Sequence, residues 1–497
     1  MASLTFIQAA VTMAARGDGM SANDDALRTD LSQAQFFLDN LLIADSHRVE
    51  RVWHQPRKYP EPVLRAEHPW EYNCPVLYGT VLRRDGLFRM WYVAWTLTMK
   101  PRVCYAESDD GVHWRKPAVG LYEVCATRDN NVVLQANEPD AYIDNCTVIE
   151  DDEDSESPLK MLYWDSSDMG AAKPGYGIWA ARSRDGLRWE PFGQVLPGWI
   201  DRFNAVSTRQ HGKFVLLGRM PGSMDAGGRG RRVWRIESDN LREWTQPQLV
   251  LQPDEEDPLP MQYYSAMQFD YESLTLGAIE RMHMQPDRLD PELIFSRDGG
   301  LTWGRARTRP QFIPWGPPDS WDHGWLNLST AAPIREHKRL WFYYSGRSRG
   351  HGMKYPHNYG GIGLATLRID GFCSLAAGAE EGFVQTPVLH WPGGELEVNY
   401  DARYDQSSHP GYTSKYTGAG GIRVEVRDTA GRPIEGFTAA DCLLLDFNSE
   451  LAPSGYGPVL WQNGKSLDEL KGRNIRFCFR MRDAHLYAFR ASRPSEP

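Results

Sequence analysis

The stretch SRDGGLTW, residues 296–303, decides the fold, because near-copies of it recur along the chain. Its Asp and paired glycines spell a tight turn: the Asp side chain can hold nearby backbone amides, and Gly accepts the left-handed backbone that the turn needs. Trp303 then restarts an apolar run. SDDGVHW (108–114), SRDGLRW (183–189) and SDNLREW (238–244) repeat the pattern, and their terminal residues Trp114, Trp189, Trp244 and Trp303 lie 75, 55 and 59 residues apart. A single copy would mean a hairpin; a spaced series means an array.

Each copy follows a β-rich segment: PRVCYAE (101–107), YGIWAAR (176–182), RRVWRIE (231–237) and PELIF (291–295). A strand pair precedes each of these. A fifth unit keeps the strands, LNLSTAAPI, RLWFYYSG and GIGLATLRIDG, without the box. Four strands per unit at this spacing read as a β-propeller, with the box at the turn between third and fourth strands and its Trp packed between blades. The expectation is an all-β chain: a five-bladed β-propeller over 50–385, then a β-sandwich over 386–497. The sandwich is read from the alternating runs GGELEVNYDARY (393–404), GIRVEVRDTAGRPIEGF (421–437) and NIRFCFRMRDAHLYAF (474–489). Residues 1–49 are expected to be a helical segment, with SANDDALRTDLSQAQFFLDNLL (21–42) as the helix and Ser21 or Asn23 as its cap.

Composition agrees with a folded, water-facing chain. Of 497 residues, 41% are hydrophobic and 24% charged, and the 18 Trp and 22 Tyr leave aromatics over for flat ligands. The net charge of −10 argues against a nucleic-acid partner. The basic run GRGRRVWR (228–235) reads as a solvated loop entering a strand. Seven cysteines without a CxxC pair suggest buried free thiols in a reducing compartment. The N-terminus shows no basic leader and no run is long enough to cross a membrane, so a cytoplasmic protein without a membrane partner is expected. No nucleotide fingerprint or HExxH appears, so no cofactor and no metal are expected; EDDEDSESP (150–158) lacks an EF-hand pattern and reads as a solvated loop. A homo-oligomer stays open.

RKYPEPVLRAEHPWE (57–71), followed by YGTVLRRDGLFRMWY, together with five units and a sandwich, resembles the five-bladed glycoside hydrolases, of the β-fructosidase (family 32-like) and arabinanase (family 43-like) types. Where invertases open with a Trp-Met-Asn-Asp-Pro-like motif, the first unit offers Trp70-Glu71-Tyr72-Asn73, and their Arg-Asp-Pro and Glu-Cys motifs have no counterpart here. The resemblance implies cleavage of a small glycan or glycoside in the central funnel, by two carboxyl groups flanking the scissile bond.

Acidic residues entering or ending inner strands are therefore the catalytic candidates: Glu71, Asp144, Asp201 and Glu280, with Asp257 weaker. Asp144 or Glu71 would be nucleophile or base, Asp201 a tuning group and Glu280 the general acid. Candidate sugar contacts are Trp70, Asn73, Asn145, Arg281, Trp321, Asp322, His323, Arg347 and His351, since indole faces stack on sugars while polar groups meet hydroxyls. Two other readings remain: a carbohydrate-binding propeller without catalysis, which needs no carboxyl pair, and a protein-interaction propeller, which predicts a filled centre and an apolar rim.

Overall fold

The computed structural model describes residues 26–72, 74–94, 100–167, 175–198, 200, 202–208, 212–219, 230–352, 358–402, 420–446 and 455–492. It is all-β, as the sequence predicts. Three four-stranded antiparallel meanders follow one another, over Pro75–Leu134, Ile143–Pro197 and Phe203–Leu251. A nine-stranded sheet then contains two more such units, Met261–Arg305 and Trp325–Arg368, joined by a single parallel pairing of Leu289 with Trp325.

The first strands of the units stand side by side. Pro75–Arg84 lies against Ile143–Glu150, that strand against Phe203–Thr208, and that one against Met261–Tyr271. Trp325–Leu328 lies against Pro75–Arg84 and closes the ring. Small polar side chains stitch the strands across the axis. Val148 N donates to Thr80 Oγ1 (2.8 Å), Thr147 Oγ1 to Thr330 Oγ1 (2.9 Å), and the Thr80 and Thr330 hydroxyls pair at 2.5 Å. Asn204 Nδ2 reaches Ala266 O at 2.6 Å. The three hydroxyls are satisfied by these bonds, Asn204 Oδ1 has no hydrogen-bond partner among the described residues, and the axis is closed at this level.

The boxes are built alike. Asp110 Oδ1 accepts from the amides of Val112 and His113, Asp185 Oδ1 from Leu187 and Arg188, and Asp298 Oδ1 from Leu301 and Thr302. Asn240 Oδ1 does the same for Arg242 and Glu243, so the third copy keeps the geometry without the charge. Gly111 and Gly186 take φ near +75° (+74° and +77°), which a side chain resists. Each turn docks on the preceding unit. The Tyr343 hydroxyl donates to Gly111 O, and Trp91 Nε1 donates to Gly186 O. Trp189 meets Trp91 edge-on at 6.2 Å, and Arg242 lies 5.5 Å from the Phe192 ring. The boxes are joints between sheets.

Two further sheets of six and five strands face each other over a core that includes Trp391, Phe477, Phe479 and Phe489. The strands Glu50–Trp53, Cys373–Ala377 and Gly382–Gln385 pair within these sheets. The sandwich therefore takes chain from both sides of the propeller, and residues 50–53 and 373–385 do not belong to the blades as expected. In return, Arg57–Lys58 pairs with Gly360–Arg368 and supplies the outer strand of the fifth unit.

The expected helix at 21–42 is not formed over its described part. Residues 26–42 carry turns and the short strand Gln35–Phe36. Phe37 is buried in the sandwich core, while Phe36 and Leu38 are buried in a second core shared with the fourth and fifth units. Alternate residues serve opposite cores, a period of two that a helix cannot satisfy. Ser21 and Asn23 lie outside the described residues. None of the seven cysteines is in a disulfide; six are buried, and Cys125 is exposed. Among the described residues no helix is long and apolar enough to cross a membrane.

Candidate active site

The inner strands enter the ring from one end, and three of them break register there. In the first unit Val76 faces Val93 and Thr80 faces Trp91, so Leu77, Tyr78 and Gly79 share one residue opposite. In the second unit Asp144 and Asn145 lie between the pairs of Ile143 and Cys146, opposite Trp164 alone. In the fourth, Tyr264 is the extra residue between the pairs of Tyr263 and Ser265. A bulge re-aims side chains that a regular pleat would send into the sheet. Here the bulges carry Tyr78, Asp144 with Asn145, and Tyr264.

Around them the mouth assembles. Tyr264 meets Trp325 edge-on at 5.0 Å, and His351 contacts both rings, at 5.7 and 5.1 Å. Arg347 Nη2 donates to the Tyr78 hydroxyl at 2.9 Å, and its guanidinium lies 5.7 Å from the Trp325 ring. Arg219 and Arg231 lie 4.8 and 5.7 Å from the Tyr264 ring. Beneath, Arg202 lies 4.4 Å from the Tyr78 ring. It grips Glu280 with two bonds, Nη2 to Oε1 at 2.6 Å and Nε to Oε2 at 3.2 Å, and donates to Asn145 Oδ1 at 2.5 Å. Burial pulls the Arg202 guanidinium down and Glu280 beside it raises it; the net direction is upward. Burial, together with Arg231, Arg347 and Arg219, holds His351 below the usual imidazole range against the opposing pull of Asp287.

Of the expected residues, Asn145, Glu280, Arg347 and His351 come together here through Arg202, Tyr78, Tyr264 and Trp325, and Asp144 shares the bulge of Asn145. Asp144 is half-buried. Glu280 is buried and bonds Arg202 through both oxygens, the geometry of an ion pair that positions the guanidinium. Asp201 and Asn73 lie outside the described residues.

The others are placed elsewhere. Glu71 is buried in a short 3₁₀ turn: Oε2 accepts from the Glu67 and His68 amides and Lys116 Nζ, and Oε1 from the Tyr92 hydroxyl. Burial and this carboxylate push the Tyr92 phenol well up. Trp70 is buried in the core between first and fifth units and donates to Asn131 Oδ1. Neither fits the nucleophile or sugar-stacking role expected. Arg281 follows Glu280 on the strand and so turns to the opposite face, where it binds Asp290 and Glu292. Asp322 is held by Lys58, Tyr344 and Ser320, and Trp321 stacks on Tyr344 at 5.6 Å. His323 lies between Gly316 O and Arg288. Asp257 is buried under Arg305 and Arg309. These are all ties within or between sheets.

Sequence reasoning missed Tyr78, Arg219, Arg231, Tyr264 and Trp325. Arg231 belongs to the basic run expected to be solvated; instead Arg232 and Arg235 are buried, and Arg231 donates to Gln262 Oε1 at 2.7 Å. Among the described residues no group of three or more His, Cys, Asp or Glu side chains could hold a metal ion.

No protein-family model matches the chain, and no curated protein matches it. Solved structures to which it is similar include an N-acetylgalactosamine deacetylase from F. plautii in complex with blood group B trisaccharide (16% identity, 71% of this chain and 97% of that one, TM-score 0.44). Others are an α-L-arabinofuranosidase from Podospora anserina in complex with cellotriose (11%, 64% and 97%, 0.44) and a β-1,2-mannobiose phosphorylase from Listeria innocua (12%, 63% and 96%, 0.45).

Proposed function

We propose that the chain is a glycan-processing enzyme that cleaves a small glycoside at the mouth of the ring. The observation that carries this reading is the set of register breaks that hold Tyr78 and Tyr264 around Arg347 and Trp325, with Asp144 in the neighbouring break. Aromatic faces suit the apolar face of a sugar ring, and a bulge spends strand pairing to present them. The axis is closed below by Thr80, Thr147 and Thr330, so a substrate enters and leaves from one end, which favours a terminal sugar over the middle of a long polymer.

Hydrolysis of a glycoside needs a carboxylate that attacks, or activates water, and an acid that protonates the leaving oxygen. Asp144 is the carboxylate assigned here to the first task. Asp201 is assigned to the second on its sequence position next to Arg202, whose guanidinium floors the mouth. Glu280 acts through Arg202, which it holds under Tyr78, and is a positioning residue.

A panel of aryl furanosides, pyranosides and uronides tests the reading, with Asp144→Asn and Asp201→Asn beside the unaltered protein. Turnover that falls by about a thousandfold or more in Asp144→Asn, with the fold retained, is the expected result. Full turnover in Asp144→Asn overturns the assignment. Sugar binding without turnover on any substrate moves the chain to the carbohydrate-binding reading.

A further inference from the structure

A second cleft opens far from the mouth, where the N-terminal segment, the sandwich and the fourth unit meet. It encloses about 330 Å³, inside the range of small-molecule sites, about 300–1,000 Å³. Trp53 and Phe295 form one wall, their rings stacked at 6.2 Å and 26°. Asn40, Arg51, Arg307 and Thr308 stand around them. Phe295 follows Asp287 by eight residues on the strand Asp287–Ser296, and Asp287 borders the mouth beside His351. At about 3.4 Å per residue, the cleft lies roughly 27 Å from that border.

Fixed parts build this cleft. Trp53 ends the strand Glu50–Trp53, the edge of its sheet, and a period of two puts Arg51 on the same face. Arg51 Nε donates to Phe37 O, and its Nη2 to Asp39 O and Asn40 Oδ1, each at 2.7 Å. Asp39 is gripped by Arg297 of the SRDGGLTW box, Nε to Oδ2 at 2.7 Å and Nη2 to Oδ1 at 2.9 Å. Phe295 lies close on Gly304, where a Cβ would come within 2.4 Å of the ring. The turn that follows, closed by Arg309 N donating to Ala306 O at 3.0 Å, carries Arg307 and Thr308 to the rim, both exposed. The walls are set before a ligand arrives, which lowers the ordering cost of binding.

Three groups here are uncommitted. The Trp53 indole N–H, the Arg307 guanidinium and the Thr308 hydroxyl have no hydrogen-bond partner among the described residues. Phe295 is buried but Trp53 only half-buried, so indole surface is left facing the cleft. A half-open indole edged by hydrogen-bond donors matches one ring of a sugar, whose C–H face stacks while its oxygens accept. An acyl chain would need apolar walls, and Asn40, Arg51, Arg307 and Thr308 make these polar.

We propose that this cleft is a second carbohydrate-binding site, which holds one sugar ring of a glycan chain away from the mouth. It goes beyond the glycoside reading and does not require it. Where both hold, a chain bound at the seam keeps its end at high local concentration near the mouth.

Native electrophoresis of the full chain through gels cast with levan, arabinan, xylan or mannan tests the proposal, beside turnover of the aryl glycosides. At least one polysaccharide should retard the protein. Trp53→Ala should weaken that binding about tenfold or more. The paired change Arg307→Ala/Thr308→Ala, at two exposed positions, should weaken it about threefold or more. Turnover of aryl glycosides should stay within about twofold in both variants, because the sites are far apart. Where Trp53→Ala fails to fold, the paired change carries the test. No retardation by any polysaccharide, or retardation unchanged in the variants, overturns the cleft; aryl turnover then still supports the glycoside reading. Retardation lost in the variants, without turnover of any aryl glycoside, supports the cleft and overturns the glycoside reading. Neither retardation nor turnover overturns both.

Discussion

Replacing Glu280 by Gln separates a positioning residue from a catalytic acid. Glu280 and Arg202 are each 1% exposed at the side chain, and two hydrogen bonds join them. The Gln amide can accept one bond and offers its NH2 group to a guanidinium that cannot accept it. Removing one partner of a buried pair costs about 3–5 kcal/mol, because the remaining charge stays uncompensated. For a unit of this size, each kcal/mol corresponds to about 2 °C, so Tm should fall by about 6–10 °C. Urea unfolding should give the same loss through a lower midpoint at unchanged slope. The double variant Arg202→Met/Glu280→Leu removes both charges and should recover about half or more of the loss, since apolar replacements of a buried pair are often close to neutral. Recovery stops short because Asn145 Oδ1 loses its donor, worth about 1–3 kcal/mol. A Glu280→Gln protein with unaltered midpoint and abolished turnover would refute this reasoning and return Glu280 to the role of general acid.

Asp185→Ala removes the acceptor for two amides and should cost about 1–2 kcal/mol, whereas Asp185→Asn should cost under about 1 kcal/mol, because Asn240 already fills that place in the third copy; thermal unfolding of the pair checks the difference. The Asp185 carboxyl lies below its usual range, since the amides of Arg188 and Leu187 and the Ser183 hydroxyl outweigh the effect of burial. Its contribution is therefore present above about pH 4 and fades as the pH falls below that value. His54 is held down to about 4 by burial, then by His485 and Arg368. It stays neutral in the folded chain while the unfolded chain takes up a proton below about pH 6.5. Stability should be full above that pH and decline by roughly 2–3 kcal/mol toward pH 4, and His54→Phe should flatten the slope in urea titrations across this window.

The architecture was legible because its punctuation is local. A box such as SRDGLRW carries its turn in its own side chains: Asp185 bonds amides two and three residues on, and Gly186 supplies the positive φ. Four copies at blade spacing then imply the ring without any knowledge of what each turn touches. The register breaks were not legible. Whether Tyr78 and Tyr264 sit in a pleat or a bulge depends on the strand opposite, and nothing in PVLYGTV or MQYYSAM states that pairing. The same limit misplaced Glu71. An acid beside Trp70 at a strand entrance fits a catalytic rim and a buried joint equally, and only Tyr92 and Lys116, far along the chain, decide for the joint. The helix expected near the start failed because QFFL serves two cores on opposite sides, a demand invisible while only one core is assumed.

Charge misled for a related reason. The net charge of −10 is a property of the whole surface, and it bears on partners laid along that whole surface. A ligand a few ångströms wide meets a local field, because charges beyond about 8 Å are largely screened at physiological salt. Arg231 looked like part of a solvated basic loop because its neighbours in sequence are basic. In space its neighbours are Tyr264, Gln262 and Met282, which partly bury it. A basic run whose arginines precede a strand in an aromatic-rich propeller is therefore better read against the rings that face it than against its own charge. The bulges and the arginines meet at one place: the bulges bring the rings of Tyr78 and Tyr264 to the mouth, and Arg202, Arg219, Arg231 and Arg347 pack around those rings.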